Sequence, residues 1–145
     1  MVVAAGVLAI FTATAIVAMT QMNRYAASSR LQTLAMAIAQ QRVDEIRIVN
    51  WRVPPGVRPP ILAQTNPTDP PAVLDPNGGV PLVLNDDPNN ATAASSLDFA
   101  VPARLYTFIK NVNARSITAT VVVAYTYRSR NFRVQLTTHR TTNNR

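Results

Sequence analysis

The first 23 residues of the chain contain no ionisable side chain. The segment MVVAAGVLAIFTATAIVAMTQMN is mostly apolar, and its polar interruptions are threonine, glutamine and asparagine. An α-helix rises about 1.5 Å per residue, so about 20 such residues cross a hydrocarbon core about 30 Å thick. A helix that is apolar on every face needs lipid or other protein around it. We therefore predict that residues 1–23 form a hydrophobic helix that inserts in a membrane or is buried against partner protein.

Two other interpretations of this segment fit its residues less well. A cleavable secretory signal begins with positive charge and has a shorter apolar core, whereas the first basic residue here is Arg24. A helix buried inside a soluble domain would need a larger chain around it, since 145 residues can scarcely enclose a helix that is apolar on all sides. The large apolar residues of this helix that are predicted to contact lipid or partner protein are Val2, Val3, Val7, Leu8, Ile10, Phe11, Ile16, Val17, Met19 and Met22.

Residues 24–52 are predicted to continue the same helix with an amphipathic pattern. The sequence from Arg24 to Asn50 contains neither glycine nor proline. Its apolar residues recur at steps of three and four, which places their side chains on one helix face. Pro54 and Pro55 are expected to end the helix, because the residue before a proline is driven out of the α region. The apolar face comprises Leu31, Leu34, Ala35, Ile38, Ala39, Val43, Ile46 and Val49.

Residues 53–98 are predicted to form a loop. They contain 10 of the 11 prolines and several turn-forming pairs, such as N-P, D-P and G-G. Five of the seven acidic residues also lie in this segment. We expect the loop to lie over the helix and the sheet, held by short apolar contacts.

Residues 99–145 show the alternating pattern of β-strands. Three segments, Arg104–Val112, Arg115–Tyr127 and Asn131–His139, are rich in β-branched and aromatic residues and are separated by short turn sequences. They predict a three-stranded antiparallel sheet whose apolar face packs on the second half of the helix. The predicted fold class is therefore α+β, a long helical spine over about 1–50 with a small C-terminal sheet. Helix-to-sheet packing is predicted for Leu31, Leu34, Ile38, Val43, Ile46, Phe132, Val134 and Leu136.

The composition argues against several kinds of site. The chain has no cysteine and one histidine, His139, so it offers no thiolate or imidazole cluster for a metal ion. No serine lies at a recognisable spacing from His139, and we predict no catalytic, cofactor-binding or metal site. The net charge is +7, and residues 99–145 contain eight basic residues and no acid. Cationic surfaces attract phosphates and other anions, and the candidate anion-binding residues are Arg128, Arg130 and Arg133.

The order of apolar helix, amphipathic continuation, variable loop and C-terminal antiparallel sheet resembles the type IV pilin and pseudopilin superfamily. The segment MVVAAGVLAI is similar to the start of many prepilin transmembrane segments, and QMNRYAASSR resembles the junction that follows them. RLQTLAMAIAQQRVDEI resembles the amphipathic half of minor pilins and pseudopilins. The resemblance covers residues 1–50 in sequence and the remainder in layout. It implies a pilin-like fold and a non-enzymatic, structural filament subunit that assembles through its N-terminal hydrophobic helix. Residues 1–23 would then be the transmembrane and filament-core helix, and the large apolar residues named above would pack in the filament core.

The resemblance also implies partners and a location. Such a subunit lies in the inner membrane before assembly and then in an extracellular, cell-surface or periplasmic filament. Its partners would be further copies of itself or mixed subunits, an inner-membrane assembly platform and a prepilin peptidase. Precursors of this superfamily carry a short basic leader ending in glycine and, a few residues later, a glutamate, whereas the first acid here is Asp44. We expect the sequence to begin a few residues inside the mature protein.

A second class of function stays open at this point. A single-pass membrane-anchored protein whose basic domain binds DNA or another anionic polymer would also combine an apolar helix with a cationic sheet. Such a protein would not polymerise, whereas in a filament the apolar helices of neighbouring copies pack together. Salt-sensitive DNA binding would favour the anchored protein.

Overall fold

The described part of the chain folds into one long helix and a four-stranded antiparallel sheet. The computed structural model describes residues 2–51, 59–84, 100–113 and 115–142, with side chains from Phe11 onward. In chain order its elements are α1 (Val2–Ile48), a short 3-10 turn (Pro60–Leu62), β1 (Val80–Leu84), β2 (Val101–Asn113), β3 (Ser116–Tyr127) and β4 (Arg130–Thr141). The predicted α+β class, with an N-terminal helix packed on an antiparallel sheet, is confirmed.

Helix α1 has 47 residues and is about 70 Å long at 1.5 Å per residue. It ends at Ile48, two residues before the predicted end and well before Pro54 and Pro55, which lie outside the described residues. After the helix, Trp51 turns into the core and is buried. The buried side chains of α1 recur at steps of three and four, and they are Ala27, Leu31, Ala35, Ala39, Val43 and Ile46.

The prediction of three strands is wrong, because the sheet has four, in the order β1-β2-β3-β4. The additional strand, β1, has the sequence VPLVL and lies in the segment predicted to be loop. Pro81 argued against a strand there, since proline has no N–H for a ladder hydrogen bond. β1 lies at the edge of the sheet, where a missing donor can face outward and a proline is tolerated. Leu82 and Leu84 of this strand join the core between helix and sheet.

The long strands are covered on both faces. One face packs on α1 through residues that include Ile109, Ile117, Val121 and Val123. The other face carries a smaller apolar cluster of Tyr106, Phe108 and Val122, with Leu74 from the loop packed against it. Because β3 has buried side chains on both faces, its sequence contains the uninterrupted run Val121–Val123.

Strands β3 and β4 are joined by the two-residue turn Arg128-Ser129. Both residues have positive φ, 50° and 60° respectively. A hairpin turn with two positive φ values matches the right-handed twist of the strands it joins. The pairing of Tyr127 with Arg130 closes this hairpin. Arg130 therefore belongs to β4, whereas the predicted strand began one residue later, at Asn131.

Candidate assembly surface on the N-terminal half of the helix

The N-terminal half of α1 extends beyond the sheet with its apolar side chains exposed. Phe11 is 69% exposed and Met22 is 71% exposed, and every residue between them is also exposed. Burial begins at Ala27, which is 6% exposed, and continues along one face to Ile46. The same helix therefore has two environments. Its second half is part of a packed core, while the described side chains of its first half are exposed.

The predicted filament-core residues fall into two groups. The side chains of Val2, Val3, Val7, Leu8 and Ile10 lie outside the described residues. The others, Phe11, Ile16, Val17, Met19 and Met22, are all exposed large apolar residues. Counting only residues whose side chains are described, we find no helix with an apolar stretch long enough to cross a membrane.

Hydroxyl groups on the exposed half are bonded within the helix. Thr14 Oγ1 donates to the carbonyl oxygen of Phe11 at 2.9 Å, and Thr20 Oγ1 donates to that of Ile16 at 2.8 Å. A hydroxyl that bonds to a carbonyl one turn back does not need water as a partner. These threonines can therefore enter an apolar environment without an unsatisfied donor.

A shallow depression with small residues lies on this half of the helix. It has a volume of about 310 Å³ and is lined by Ala13, Thr14, Val17, Ala18 and Gln21. Small side chains allow the backbone of a second helix to come close. This strip is thus compatible with helix–helix packing along the exposed half.

The second half of α1 is fixed to the sheet by polar contacts at its C-terminal end. Arg42 Nε lies 3.5 Å from Thr107 Oγ1, and Arg47 Nε donates to Thr138 Oγ1 at 3.1 Å. The guanidinium of Arg140, which is buried, donates to the carbonyl oxygens of Ile46 and Val49. Burial lowers the pKa of Arg140 from its ordinary value. A cation at this position also interacts favourably with the helix dipole.

The structure brings all eight residues predicted for helix-to-sheet packing into one core. Four of them are buried, namely Leu31, Val43, Ile46 and Val134. The other four lie at the margin of the same core and are partly buried, namely Leu34, Ile38, Phe132 and Leu136.

The three candidate anion-binding arginines do not form one cluster. Arg128 lies over the ring of Tyr127, with its guanidinium carbon 5.5 Å from the ring centre. Arg130, on the next strand, is exposed. Arg133 lies on the outer face of β4 and donates to the carbonyl oxygen of Pro71 and to Gln135 Oε1, both at 3.0 Å. Arg133 therefore holds the loop against the sheet, whereas no hydrogen bond to the described part of the loop is seen for Arg128 or Arg130. All three arginines are exposed.

The loop over residues 59–79 is attached to the outer face and edge of the sheet by further contacts. Tyr106 Oη donates to the carbonyl oxygen of Asp75 at 2.7 Å, and Arg104 donates to that of Gly78, also at 2.7 Å. Gly79 has a φ of 70°, and a Cβ at this position would lie 2.9 Å from the Tyr106 ring. The loop can approach the sheet this closely only because residue 79 has no side chain.

The loop also contacts the part of the β2 edge that β1 does not cover, after Leu105. The backbone N–H of Thr65 donates to the carbonyl oxygen of Ile109 at 3.1 Å, and the backbone N–H of Ile109 donates to Thr65 Oγ1 at 2.8 Å. Lys110 Nζ pairs with Asp69 at 2.8 Å and lowers the pKa of that carboxyl group. The loop was expected to be held by apolar contacts. These hydrogen bonds and the ion pair hold it as well, through polar groups that the sequence analysis did not identify.

The only histidine of the sequence occupies a structural position. His139 is exposed on the outer face of β4, and its Nδ1 lies 2.9 Å from Thr118 Oγ1 on the neighbouring strand. Among the described residues, no group of three or more His, Cys, Asp or Glu side chains could hold a metal ion.

Comparison with protein-family models, with curated proteins and with solved structures finds no match for this chain.

Proposed function

We propose that the chain is a structural subunit of a helical surface or periplasmic filament, type IV pilus-like or type II secretion pseudopilus-like, that assembles through the N-terminal half of α1. One observation carries the proposal. Residues 11–23 are exposed and uncharged, yet they belong to the same unbroken helix whose second half is buried on the sheet. An exposed apolar surface of this extent marks a site of contact with lipid or with another protein.

The chemistry of the exposed half suits both environments of such a subunit. Before assembly, its apolar side chains would lie in the lipid of the inner membrane. In the filament, the same side chains would contact those of neighbouring copies. Most of the hydrophobic gain is already realised in lipid, so assembly depends on close van der Waals packing. The small residues Ala13 and Ala18 favour such packing, and the internally bonded Thr14 and Thr20 do not oppose it.

The order of the elements supports the pilin-like form of this proposal. A helical spine, an intervening loop and a C-terminal antiparallel sheet follow one another along the chain. By resemblance, the subunit would use a prepilin peptidase and an inner-membrane assembly platform, and its main partner would be further copies of itself.

The anchored DNA-binding protein has less support. Two arginines of the outer sheet face, Arg104 and Arg133, are bonded to carbonyl oxygens of the loop. Phosphate recognition needs cations that are free to reach the backbone of a nucleic acid. The outer face of the sheet is thus less available to DNA than its composition suggests.

The proposal is tested by electron microscopy of sheared surface material from cells that produce the chain. We expect thin fibres that an antibody against this protein labels. A sheared fraction without labelled fibres, from cells in which the protein is present, would contradict the proposal.

A pair of charge substitutions on α1 tests whether the exposed half carries the assembly. Met19→Glu places a carboxylate in the middle of the apolar surface and is expected to abolish fibres, because an unpaired charge is costly in lipid or in a helix bundle. Gln32→Glu adds the same charge on an exposed position of the second half and is expected to leave fibres intact. If Met19→Glu formed as many fibres as Gln32→Glu and the wild type, the exposed half of α1 would not be the surface through which copies assemble.

A further inference from the structure

The β3–β4 turn lies at the level where α1 emerges from the sheet. Arg47 contacts Thr138 and Arg42 contacts Thr107, so α1 and β4 run side by side in the same direction. From Thr138 back to Arg130 is about 26 Å at 3.3 Å per residue. The same distance along α1 from Arg47 is about 17 residues at 1.5 Å each. This places Arg130 beside residue 30 or so, close to the point at which burial of the helix begins.

Cations gather at this level. Arg24 and Arg30 are exposed on α1, Arg128 lies in the turn and Arg130 directly follows it. In the described part of the chain, neither an ion pair nor a hydrogen bond holds the guanidinium of Arg24 or Arg130. The ion pairs that are described lie elsewhere, within the C-terminal part of α1 and between Asp69 and Lys110. The sequence has no acid before Asp44 and none after Asp98.

Two tyrosines accompany these cations. Tyr25, next to Arg24, is 75% exposed, and Tyr127 is half-buried under the guanidinium of Arg128. Tyrosine is enriched where membrane proteins meet the lipid headgroups, because its ring is apolar and its hydroxyl is polar. Arginines close to an anionic leaflet are attracted to its headgroups. Both residue types therefore suit the border between an apolar helix and a membrane surface.

We propose that Arg24, Arg128 and Arg130 form a basic collar that binds the headgroups of anionic phospholipids while the N-terminal half of α1 lies in the bilayer. The inference rests on the proposed function, since it needs that half to be inserted. The collar holds the sheet close to the membrane surface with its β3–β4 turn facing the lipid. Assembly into a filament then has to break these contacts as well as withdraw the apolar helix.

The test uses the full chain reconstituted in phosphatidylcholine vesicles that contain a trace of spin-labelled lipid. We expect spin-labelled phosphatidylglycerol to be motionally restricted in preference to spin-labelled phosphatidylcholine. Arg24→Gln and Arg130→Gln are each expected to lower this preference by about two- to fivefold, and high salt is expected to lower it too. The matched control is Arg115→Gln, which removes one exposed arginine at the other end of the sheet and is expected to leave the preference unchanged.

Several outcomes would overturn the collar. One is an equal effect of Arg115→Gln, because the preference would then follow net charge and not position. Another is duplex DNA binding that both collar substitutions weaken while the lipid preference stays unchanged, which would assign the arginines to a nucleic acid. Wild-type chain that floats with the vesicles but shows no preference would overturn the collar and leave the filament proposal standing. Failure to float with any vesicle would instead overturn the proposed function itself.

Discussion

The buried guanidinium of Arg140 completes the C-terminal end of α1. The last carbonyl groups of a helix have no donor within the helix, and here the residues after Ile48 are Val49, Asn50 and Trp51, without the glycine that often ends a helix. Arg140 supplies donors to two of these carbonyl groups from β4. The end of the helix is thereby fixed by a residue more than 90 positions further along the chain.

Replacing Arg140 with methionine is expected to lower the free energy of unfolding by about 2–3 kcal/mol, because two carbonyl groups, one in a buried and one in a partly buried contact, lose a charged donor. The measurement is urea unfolding of the full chain in neutral detergent, followed by the fluorescence of Trp51, the only tryptophan. Arg130→Met is the matched control on the same strand, and its exposed side chain should change stability by no more than about 0.5 kcal/mol. Similar losses for both variants would argue against the capping role.

Tyr125 makes stability depend on pH in the alkaline range. Its ring is buried and stacks on Phe132, with ring centres 5.2 Å apart, and burial raises the pKa of its hydroxyl. The folded chain keeps this proton at pH values where the unfolded chain releases it, above about pH 10. The group therefore leaves stability unchanged below that pH, and stability falls as the pH rises toward the raised pKa.

Tyr125→Phe is expected to reduce the loss of stability between pH 9 and pH 11, since phenylalanine has no proton to release. Urea midpoints at the two pH values provide the measurement. Tyr25→Phe serves as the control, because it removes one hydroxyl from a ring that is 75% exposed. An unchanged pH dependence for Tyr125→Phe would show that burial does not govern this titration.

Helix α1 could be predicted from the sequence because its signals agree with one another. The apolar steps of three and four, and the absence of glycine and proline after Gly6, indicate one long helix whose second half has a buried face. β1 could not be predicted in the same way, since Pro81 and the surrounding prolines are typical of loops. Its strand character comes from pairing with β2, from Val80 with Leu105 to Leu84 with Val101. That pairing joins segments far apart in the sequence.

The two environments of α1 predict different responses to the same kind of substitution. Leu31→Ala removes a fully buried side chain and is expected to cost about 2–4 kcal/mol of folding stability. Met22→Ala, nine positions earlier and exposed, should change it by no more than about 0.5 kcal/mol. Urea unfolding of both variants by Trp51 fluorescence is the measurement. A large effect of Met22→Ala would show that the first half of the helix folds onto the sheet.

At the scale of the whole molecule, the sequence predicted that the helix packs on the sheet. It did not predict the polar contacts that join the helix and the loop to the sheet. The apolar patterns were enough to place the helix against the sheet, as Leu31, Ile46 and Val134 illustrate. The candidate arginines could not be sorted by pattern, because Arg130 and Arg133 look alike in sequence. Strand alternation places them on opposite faces of the sheet. Of the two arginines, only Arg133 donates a hydrogen bond to the loop carbonyl of Pro71. The composition changes at Arg24, and the described side chains before that residue are exposed; their role in a filament stays a prediction.

The unbroken course of α1 has a mechanical consequence. The helix passes from its free half into the core without a hinge, so a pull along its axis reaches the sheet undiminished. The contacts that resist this pull join α1 to β2 through Arg42 and to β4 through Arg47 and Arg140. Strand β4 runs parallel to the load. A pull along the helix axis loads these contacts in shear. The contacts then share the force and do not break one after another. The contacts between helix and sheet therefore resist a lengthwise pull better than a sideways peel of the helix from the sheet.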